Sequence, residues 1–260
     1  MRAINKNSFN GAAAIFAEHA KTVRGFVRYE VSQQNLLPFL KRKHLRVLDV
    51  GGGSGLDAAW IADLGHQITV VEPSPKQFNY AERRFNFFLD DKQRSRLTLI
   101  HGTLEDLPPE TEFDLVMMHG VAMYQEDPAA FIATVVPYIA PGGMLSLLEK
   151  GYYGAEARFL SHQSFDKYAS LRNTGRYMSR FKLSVYAFKP EELEAIVKQA
   201  GLKTVQWTGV RVISDTNDEL IDNIPQEELE LIVDAEMRQG AEPTIRGQGQ
   251  MLHFIARRPK

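Results

Sequence analysis

The sequence predicts a doubly wound α/β fold built on a mostly parallel sheet. Three features of its 260 residues indicate this fold. Short runs rich in Val, Leu and Ile alternate with segments of helical length from residue 45 onward. The first run contains Asp49 near its end and is followed by the glycine-rich segment 51–55. The second run ends at Glu72. Strands that are joined by helices of this length pair in parallel through right-handed crossovers.

The elements follow one another in a regular order. Strands are expected at 45–50, 67–71, 97–101, 114–119, 144–148, 203–212 and 251–256. Helices are expected at 55–64, from residue 75, at 128–138, at 190–200 and at 225–238. Ser74-Pro75 and Asp127-Pro128 each supply a capping side chain and a first-turn proline, which is typical of a helix start.

Three segments lie outside the alternation, and we interpret them as additions to one domain that spans 1–260. Residues 1–44 form an N-terminal helical extension, with apolar residues at helical spacing. Residues 150–188 are aromatic and basic without a clear strand period, and we interpret them as a helical cap over the site. Residues 213–248 form a helical insertion before the last strand.

Composition excludes several classes of protein. The chain has no cysteine, which rules out disulfides, thiolate metal sites and cysteine nucleophiles. No run approaches the ~18–20 apolar residues that span a bilayer, and the first residues lack a signal-peptide core. No histidine pair has metal-ligand spacing, so no metal is expected. These features favour the cytoplasm, and a net charge of −1 argues against strong non-specific nucleic-acid binding but not against a local basic patch.

The acid–glycine junction predicts a nucleotide-binding loop. Its spacing is G-x-G-x-G, formed by Gly51, Gly53 and Gly55, and not the dinucleotide pattern G-x-G-x-x-G. Glycines let the backbone approach a ligand closely. Glu72 ends the second strand, where a carboxylate is placed to accept from the ribose hydroxyls of an adenosine. Asp49 is expected to fix the loop, and the spacing argues against an NAD enzyme.

Other candidates follow the third and fourth strands, because ligands bind beyond the carboxyl ends of parallel strands. Leu104 and Glu105 are placed to read an adenine edge through a backbone amide and a carboxylate. His119 is either a structural histidine, a contact to the amino or carboxylate group of a cofactor, or a proton-transfer group. Tyr124 and His119 are the candidates for a base if the acceptor needs one.

Three groups of cations stand out. Arg24 and Arg28 share a helical face, where a guanidinium could grip a carboxylate bidentately or remain solvated. Arg211 lies on the sixth predicted strand, where a charge that points inward needs a partner. The cap interleaves aromatic residues with Arg158, Lys167, Arg172, Arg176, Arg180 and Lys182. That pattern suits phosphate contacts with base stacking, or equally the solvated face of an ordinary cap.

The order of these features resembles one group of the class I S-adenosylmethionine-dependent methyltransferases, the bacterial tRNA carboxymethoxyuridine methyltransferases. The resemblance rests on Arg28, Arg46-Val47-Leu48-Asp49 before the glycines, Gly65-His66-Gln67, His119, Asp127-Pro128, Pro141-Gly142-Gly143-Met144-Leu145-Ser146-Leu147, Gly209-Val210-Arg211-Val212 and Glu242-Pro243. It implies a Rossmann-like, seven-stranded, mostly parallel sheet with helices on both faces. It also implies S-adenosylmethionine as the methyl donor, held by Arg28, Gly51, Gly52, Gly53, Glu72, Leu104, Glu105 and His119. The sequence departs from the group at Glu72, where aspartate is usual, and in the cap.

The resemblance also implies an acceptor, which is the carboxylate of a modified wobble uridine in tRNA. A carboxylate is ionised at neutral pH, so alignment with the methyl group replaces proton removal. Candidates to bind this substrate are Arg172, Arg176, Arg180 and Arg211, with Arg211 orienting the acceptor. Two alternatives remain open: an O- or N-methyltransferase that encloses a small molecule under the cap, and a non-catalytic nucleotide-binding module. Monomer and homodimer are both compatible with the sequence.

Overall fold

The computed structural model describes residues 6–215 and 224–260. The strands in these residues are β1 (Arg46–Val50), β2 (Gln67–Val71), β3 (Leu97–Ile100), β4 (Phe113–His119), β5 (Ile139–Lys150), β6 (Arg176–Met178), β7 (Ser184–Tyr186), β8 (Lys203–Val210) and β9 (Met251–Arg257). The helices are α1 (Lys6–Ala20), α2 (Val23–Leu36), α3 (Leu56–Asp63), α4 (Pro75–Phe88), α5 (Asp91–Arg94), α6 (Pro128–Val135), α7 (Tyr152–Ser161), α8 (Phe165–Thr174), α9 (Pro190–Gln199) and α10 (Gln226–Ala241).

One sheet contains seven of these strands, in the order β3-β2-β1-β4-β5-β9-β8. Strands β1 to β5 pair in parallel, and β9 runs antiparallel between β5 and β8. The predicted fold is therefore confirmed. The order of the strands reverses between β1 and β4, and α/β proteins bind ligands at such a switch point.

Apolar side chains of the central strands point alternately to the two faces of the sheet, so a hydrophobic cluster forms on each face. Leu48 and Val116 pack into a cluster on one face, whereas Val47 and Leu115 pack into a cluster on the other. All four are completely buried, and burial of each such side chain stabilises the fold by about 1.5–3 kcal/mol.

Helices α2 and α10 cover the β5, β8 and β9 side of the sheet. Val23, Val27 and Val31 of α2 pack in one cluster with Val233 of α10 and with residues of these strands. Their spacing of four residues places the three valines on one face of α2. That packing fixes α2 against the sheet and so also fixes the positions of its polar residues, such as Arg24 and Arg28.

Helix starts follow the predicted capping chemistry. The Ser74 and Asp127 side chains accept from the backbone N–H groups of Gln77 and Ala130. Each cap satisfies a backbone donor that has no partner inside the first turn. Proline at the first helical position of α4 and α6 loses nothing there, because its missing N–H would be unpaired.

Two strand boundaries and the content of the cap are the main differences from the sequence-based expectation. The strand expected at 203–212 ends at Val210, because Arg211 adopts a left-handed φ of 59°. Strand β5 begins at Ile139 and not at 144, so the Pro141-Gly142-Gly143 segment lies within it. The cap contains the short antiparallel hairpin of β6 and β7 besides helices α7 and α8.

Two predicted segments fall partly outside the described residues. These are 1–5 of the N-terminal extension and 216–223 of the insertion at 213–248. In the part of the chain that the structure describes, no helix combines the length and apolar content needed to cross a membrane.

Backbone contact between α10 and β8 makes Gly240 a sensitive position. A Cβ atom on Gly240 would lie 2.3 Å from the carbonyl oxygen of Gly209, which is backbone and cannot swing away. Gly240→Ala is therefore expected to lower the free energy of unfolding by about 1–3 kcal/mol in urea denaturation. Gly11→Ala in α1 is the matched control, since nothing lies within 4 Å of its Cβ position. The control should be neutral or stabilise by up to about 1 kcal/mol, and equal effects at both sites would contradict the close approach.

Candidate functional site

A cavity of about 1210 Å³ opens at the carboxyl ends of β1, β2, β4 and β5. It lies at the switch point between β1 and β4, and α1, α2 and the cap form its remaining walls. Of the residues that the sequence singled out, the cavity is lined by Arg24, Arg28, Asp49, Gly51, Gly52, Gly53, Glu72, Leu104, Glu105, His119, Tyr124, Arg158, Lys167, Arg180 and Arg211. Chain segments that are far apart in the sequence therefore meet at one edge of the sheet.

The loop from β1 to α3 presents its backbone to this cavity. Gly51, Gly53 and Gly55 have φ values of 65°, 58° and 74°, which residues with a Cβ adopt only at a cost. At Gly52 a Cβ would lie 2.6 Å from Asp49 Oδ2. The glycine pattern is thus required by the turn itself and by the acid below it.

Glu72 ties this loop to the start of α4. Its Oε2 accepts from the Gly53 N–H at 2.9 Å, and its Oε1 accepts from the Ser74 N–H at 2.8 Å. Burial raises the pKa of Glu72, and these two hydrogen bonds partly offset that effect. Each carboxylate oxygen has further lone pairs, so Glu72 can accept from a ligand as well.

Asp49 is a buried acid on the cavity wall. Burial, with the neighbouring Asp57 carboxylate, raises its pKa well above the ordinary value. Its Oδ2 has no hydrogen-bond partner among the described residues. A buried polar atom without a partner costs free energy, and a ligand that donates a hydrogen bond would relieve that cost.

The loop after β3 holds Leu104 and Glu105 on the cavity wall. Leu104 is buried and Glu105 is exposed. The Asp106 carboxylate accepts from the Thr103 N–H at 2.8 Å, and the Tyr138 hydroxyl donates to the Leu104 carbonyl at 3.0 Å. These bonds fix the loop and leave the Glu105 carboxylate facing solvent and the cavity.

A buried ionic network lies beneath the glycine loop. Asp57, in the first turn of α3, accepts from Arg28 Nη1 at 3.3 Å and from Gln33 Nε2 at 3.0 Å. His119 Nδ1 lies 3.1 Å from the same carboxylate. Burial would raise the pKa of Asp57, but the Arg28 charge and the His119 hydrogen bond lower it below the ordinary value. Asp57 therefore stays ionised and neutralises Arg28.

The network continues across the sheet through His119. Its Nε2 lies 2.8 Å from Ser146 Oγ, which in turn lies 2.9 Å from His253 Nε2. Both ring nitrogens of His119 are thus engaged inside the protein. A ligand that contacts either nitrogen would have to displace Asp57 or Ser146.

Tyr124, the other candidate base, is poorly suited to accept a proton. Its ring is buried and packs edge-on against Phe9, with 5.1 Å between the ring centroids. Burial, with the neighbouring Tyr177 and Glu149 side chains, raises the pKa of the Tyr124 hydroxyl far above its ordinary value. The phenol remains protonated at neutral pH.

The far end of the cavity holds a group that we call the Asp215 cluster: Arg24, Lys150, Arg158, Arg180, Arg211 and Asp215. Arg211 Nε donates to Asp215 Oδ1 at 2.8 Å, and its Nη2 donates to Oδ2. Arg158 and Arg24 approach the same carboxylate at 3.2 and 3.7 Å. Among the described residues, three arginines therefore lie within 4.0 Å of one carboxylate, and Lys150 and Arg180 line the same cavity.

The loop that carries Arg211 is fixed by a buried acid on α10. The Glu236 carboxylate accepts from the backbone N–H groups of Val212, Ile213 and Ser214 at 2.7, 3.0 and 2.6 Å. The Gln250 N–H donates to the Arg211 carbonyl at 3.1 Å. These bonds hold Arg211 in its left-handed conformation, which an ordinary side chain does not adopt unaided.

The three cap arginines named as candidates to bind the substrate lie in different environments. Arg180 is exposed and lines the cavity. Arg176 donates to the carbonyls of Gln125 and Glu126, so its guanidinium supports the loop after β4. Arg172 is exposed on α8 and does not line the cavity. The three arginines therefore differ in environment, and their role in binding the substrate stays a prediction.

Sequence reasoning missed three charged residues of the cavity that matter for its electrostatics: Asp57, Lys150 and Asp215. Asp57 lies in the first turn of α3, and Lys150 ends β5. The rule that ligands bind at the carboxyl ends of strands would have found Lys150. Asp215 carries no signal of its own, since its role depends on three arginines from other elements. Within the described residues, no group of three or more His, Asp or Glu is placed to hold a metal.

Known proteins share this architecture and parts of this sequence. A family profile described as "Methyltransferase domain" matches residues 23–207. The tRNA 5-carboxymethoxyuridine methyltransferase of Escherichia coli (strain K12) is 27% identical over 246 residues, which cover 92% of this chain and 91% of the relative. A mitochondrial ubiquinone biosynthesis O-methyltransferase of Schizosaccharomyces pombe is 32% identical over 102 residues, 39% of this chain and 36% of the relative.

A solved structure agrees on the fold. The S-adenosylmethionine-dependent methyltransferase of Methanosarcina mazei superposes with a TM-score of 0.62 at 15% identity, covering 86% of this chain and 97% of that chain. The family match spans more than half of the chain and includes the glycine loop, Glu72 and His119. The orphaned Asp49 oxygen and the open backbone of the glycine loop fit a nucleotide-like donor. The chain belongs to the methyltransferase domain family, and it is an S-adenosylmethionine-dependent methyltransferase.

Proposed function

We propose that this enzyme methylates the carboxylate of a 5-carboxymethoxyuridine-type wobble nucleoside in tRNA. The observation that carries the proposal is the shape of the cavity, which joins the glycine loop to the Asp215 cluster. A site that is cationic at the end away from the donor loop suits an anionic acceptor. The Escherichia coli relative, whose name states this tRNA nucleoside, aligns with almost the whole chain.

In this proposal the donor lies against the glycine loop. Glu72 accepts from the ribose hydroxyls, and the backbone at Gly51, Gly52 and Gly53 lies along the methionine part. Arg28, which uses Nη1 on Asp57, attracts the donor carboxylate with its remaining N–H groups. Leu104 and Glu105 border the adenine. His119 holds Asp57, and through it Arg28, and so acts as a positioning residue.

The chemistry of a carboxylate acceptor fits these residues. Bound S-adenosylmethionine supplies an electrophilic methyl group on a positively charged sulfur. The acceptor oxygen would bond to that methyl carbon without losing a proton while the carbon–sulfur bond breaks. The products would be the methyl ester and S-adenosylhomocysteine, and both opposite charges would disappear. The enzyme then has to align the acceptor and exclude water, and it needs no base. Neither candidate base is suited to remove a proton. Both ring nitrogens of His119 are engaged in hydrogen bonds inside the protein, and the Tyr124 phenol stays protonated.

One observation favours a second candidate, which is a small-molecule acceptor such as a phenol. Burial, together with the Arg211 charge, lowers the pKa of Lys150 to about 7, so this amine could accept a proton. The Schizosaccharomyces pombe relative is an O-methyltransferase of ubiquinone biosynthesis, but it aligns with only 39% of this chain. Most of this chain therefore has no aligned counterpart in that relative.

The acceptor can be tested by direct methyl transfer. Purified enzyme, S-adenosylmethionine and tRNA that carries 5-carboxymethoxyuridine are expected to yield the methyl ester of that nucleoside. Mass spectrometry of digested nucleosides measures the product, and mild alkali should remove the methyl group because it is an ester. The control is the same tRNA without the carboxymethoxy group, which should remain unmodified. Methyl transfer to small phenols but not to tRNA would refute the proposal.

The donor assignment can be tested at Glu72. Glu72→Gln removes the charge that would strengthen the ribose hydrogen bonds, and bonds to a charged partner are worth about 1.5–3 kcal/mol. We expect S-adenosylmethionine affinity to fall by roughly ten- to a hundredfold in titration calorimetry. Glu82→Gln on the exposed side of α4 is the matched control and should bind normally. Unchanged affinity in a folded Glu72→Gln protein would refute the ribose assignment.

A further inference from the structure

We infer that Lys150, together with Arg211 held by Asp215, forms the subsite that binds the carboxylate of the acceptor, and that Lys150 acts there as a cation and not as a base. The inference rests on the proposed function only for the identity of the acceptor. The subsite itself follows from how the described charges are arranged in the cavity.

The position of Lys150 is fixed by the sheet. It is the last residue of β5, beside the β4 end that carries His119, so it shares the sheet edge with the glycine loop. The preceding residue, Glu149, is completely buried and accepts from the backbone N–H groups of Val121, Ala122 and Met123. Alternation along the strand therefore turns Glu149 into the protein and Lys150 into the cavity.

Asp215 is already shared by three arginines. Arg211 contacts it through two nitrogens, and Arg158 and Arg24 approach the same carboxylate. Lys150 forms no ion pair within 4.0 Å in the described part of the chain, although it lines the same cavity. Asp215 acts on Lys150 only beyond ion-pair distance, so a carboxylate ligand beside Lys150 and Arg211 would give Lys150 an anionic partner in direct contact.

Arg211 is held in advance of binding. Two bonds to Asp215 fix its guanidinium, and Glu236 with Gln250 fix its left-handed backbone. A cation that is already ordered loses little conformational freedom when it binds an anion. Strained backbone of this kind is often found at functional sites.

The charge change during the reaction gives this subsite a defined role. The substrate is an anion, but the ester product is neutral, so the cations favour the substrate and release the product. In the transition state the acceptor charge is already decreasing. The subsite therefore contributes to binding more than to the chemical step, and its loss should raise KM while kcat changes little.

Among the described residues of the Asp215 cluster, Lys150 has a pKa near neutral pH. The charged and titratable groups that face it are His19 from α1, Arg24 from α2, Arg158 from α7, Arg180 from the β6–β7 turn, and Arg211 with Asp215 after β8. Burial and the Arg180 charge lower the pKa of His19 to about 3, and burial and the Arg211 charge lower that of Lys150 to about 7.

The sign of the pH effect follows from these values. Lys150 carries its charge below pH 7 and loses it as the pH rises, whereas the arginines stay charged. Affinity for a carboxylate ligand is therefore expected to decrease above about pH 7.

Kinetics of three variants test the role of Lys150. Lys150→Met should raise the KM for the carboxylate-bearing tRNA by about ten- to a hundredfold, with kcat and S-adenosylmethionine affinity nearly unchanged. Lys150→Arg should keep a low KM and remove the alkaline rise in KM, because arginine stays charged. Lys198→Met on the exposed side of α9 is the matched control and should behave as the wild type.

Two kinetic outcomes would overturn the inference. Loss of kcat in Lys150→Arg would show that the amine takes a proton, as a base does. An unchanged KM in Lys150→Met would show that the acceptor carboxylate binds elsewhere. Circular dichroism and S-adenosylmethionine titration confirm that each variant is folded.

A binding experiment separates this inference from the proposed function. The enzyme with bound S-adenosylhomocysteine is titrated with phenoxyacetate and, separately, with its neutral methyl ester, and NMR shifts are followed. Phenoxyacetate should bind to the wild type and to Lys150→Arg but not to Lys150→Met, and the ester should bind weakly to all.

The two experiments together assign each failure. Lys150-dependent binding of phenoxyacetate without methylation of tRNA would leave the subsite standing and refute the tRNA substrate. Methylation of tRNA together with phenoxyacetate binding that does not depend on Lys150 would support the tRNA substrate and refute the subsite. No binding and no methylation would refute both.

Discussion

The loops at the carboxyl edge of the sheet depend on buried glutamate side chains that accept hydrogen bonds from the loop backbone. Glu72 accepts from two backbone N–H groups, and Glu149 and Glu236 accept from three each. Loops lack the regular partners that helices and strands provide, so their buried N–H groups need acceptors from elsewhere. One carboxylate per loop supplies these acceptors, and it fixes the loop relative to a strand or helix.

The same principle explains why charged residues can lie so deep near the donor loop. Asp57 joins Arg28 of α2 to His119 of β4, and Ser146 and His253 carry the hydrogen bonds across β5 and β9. Removing one partner of a buried pair typically costs about 3–5 kcal/mol, because the other charge is left unmatched. The network therefore couples the position of α2 to the sheet, and with it the position of the Arg28 guanidinium in the cavity wall.

The cavity divides chemically into two ends. The donor end is built from backbone and acids: the glycine loop, Asp49 and Glu72. The other end is built from cations around Asp215. In the proposed reaction the sulfonium donor is positively charged and the carboxylate acceptor is negatively charged, so this polarity would bring the two reactants together in one orientation. Aromatic residues of α1 and the cap, such as Phe16 and Phe181 with 4.1 Å between ring centroids, close the space above them.

The sequence by itself determined the order of strands and helices, the capping residues and the donor loop. These features depend on neighbouring residues: strand alternation, a cap and its proline, or glycines that a tight turn requires. The tertiary structure alone decided what Arg28, His119, Arg176 and Arg211 contact, and it brought Lys150 and Asp215 to the cavity. Those contacts join residues that lie far apart in the chain, such as Asp57 and His119, and no local pattern encodes which distant charge will neutralise a buried one. The end of β8 at Val210 has the same cause, since Glu236 and Gln250 impose on Arg211 a conformation that its own sequence does not favour.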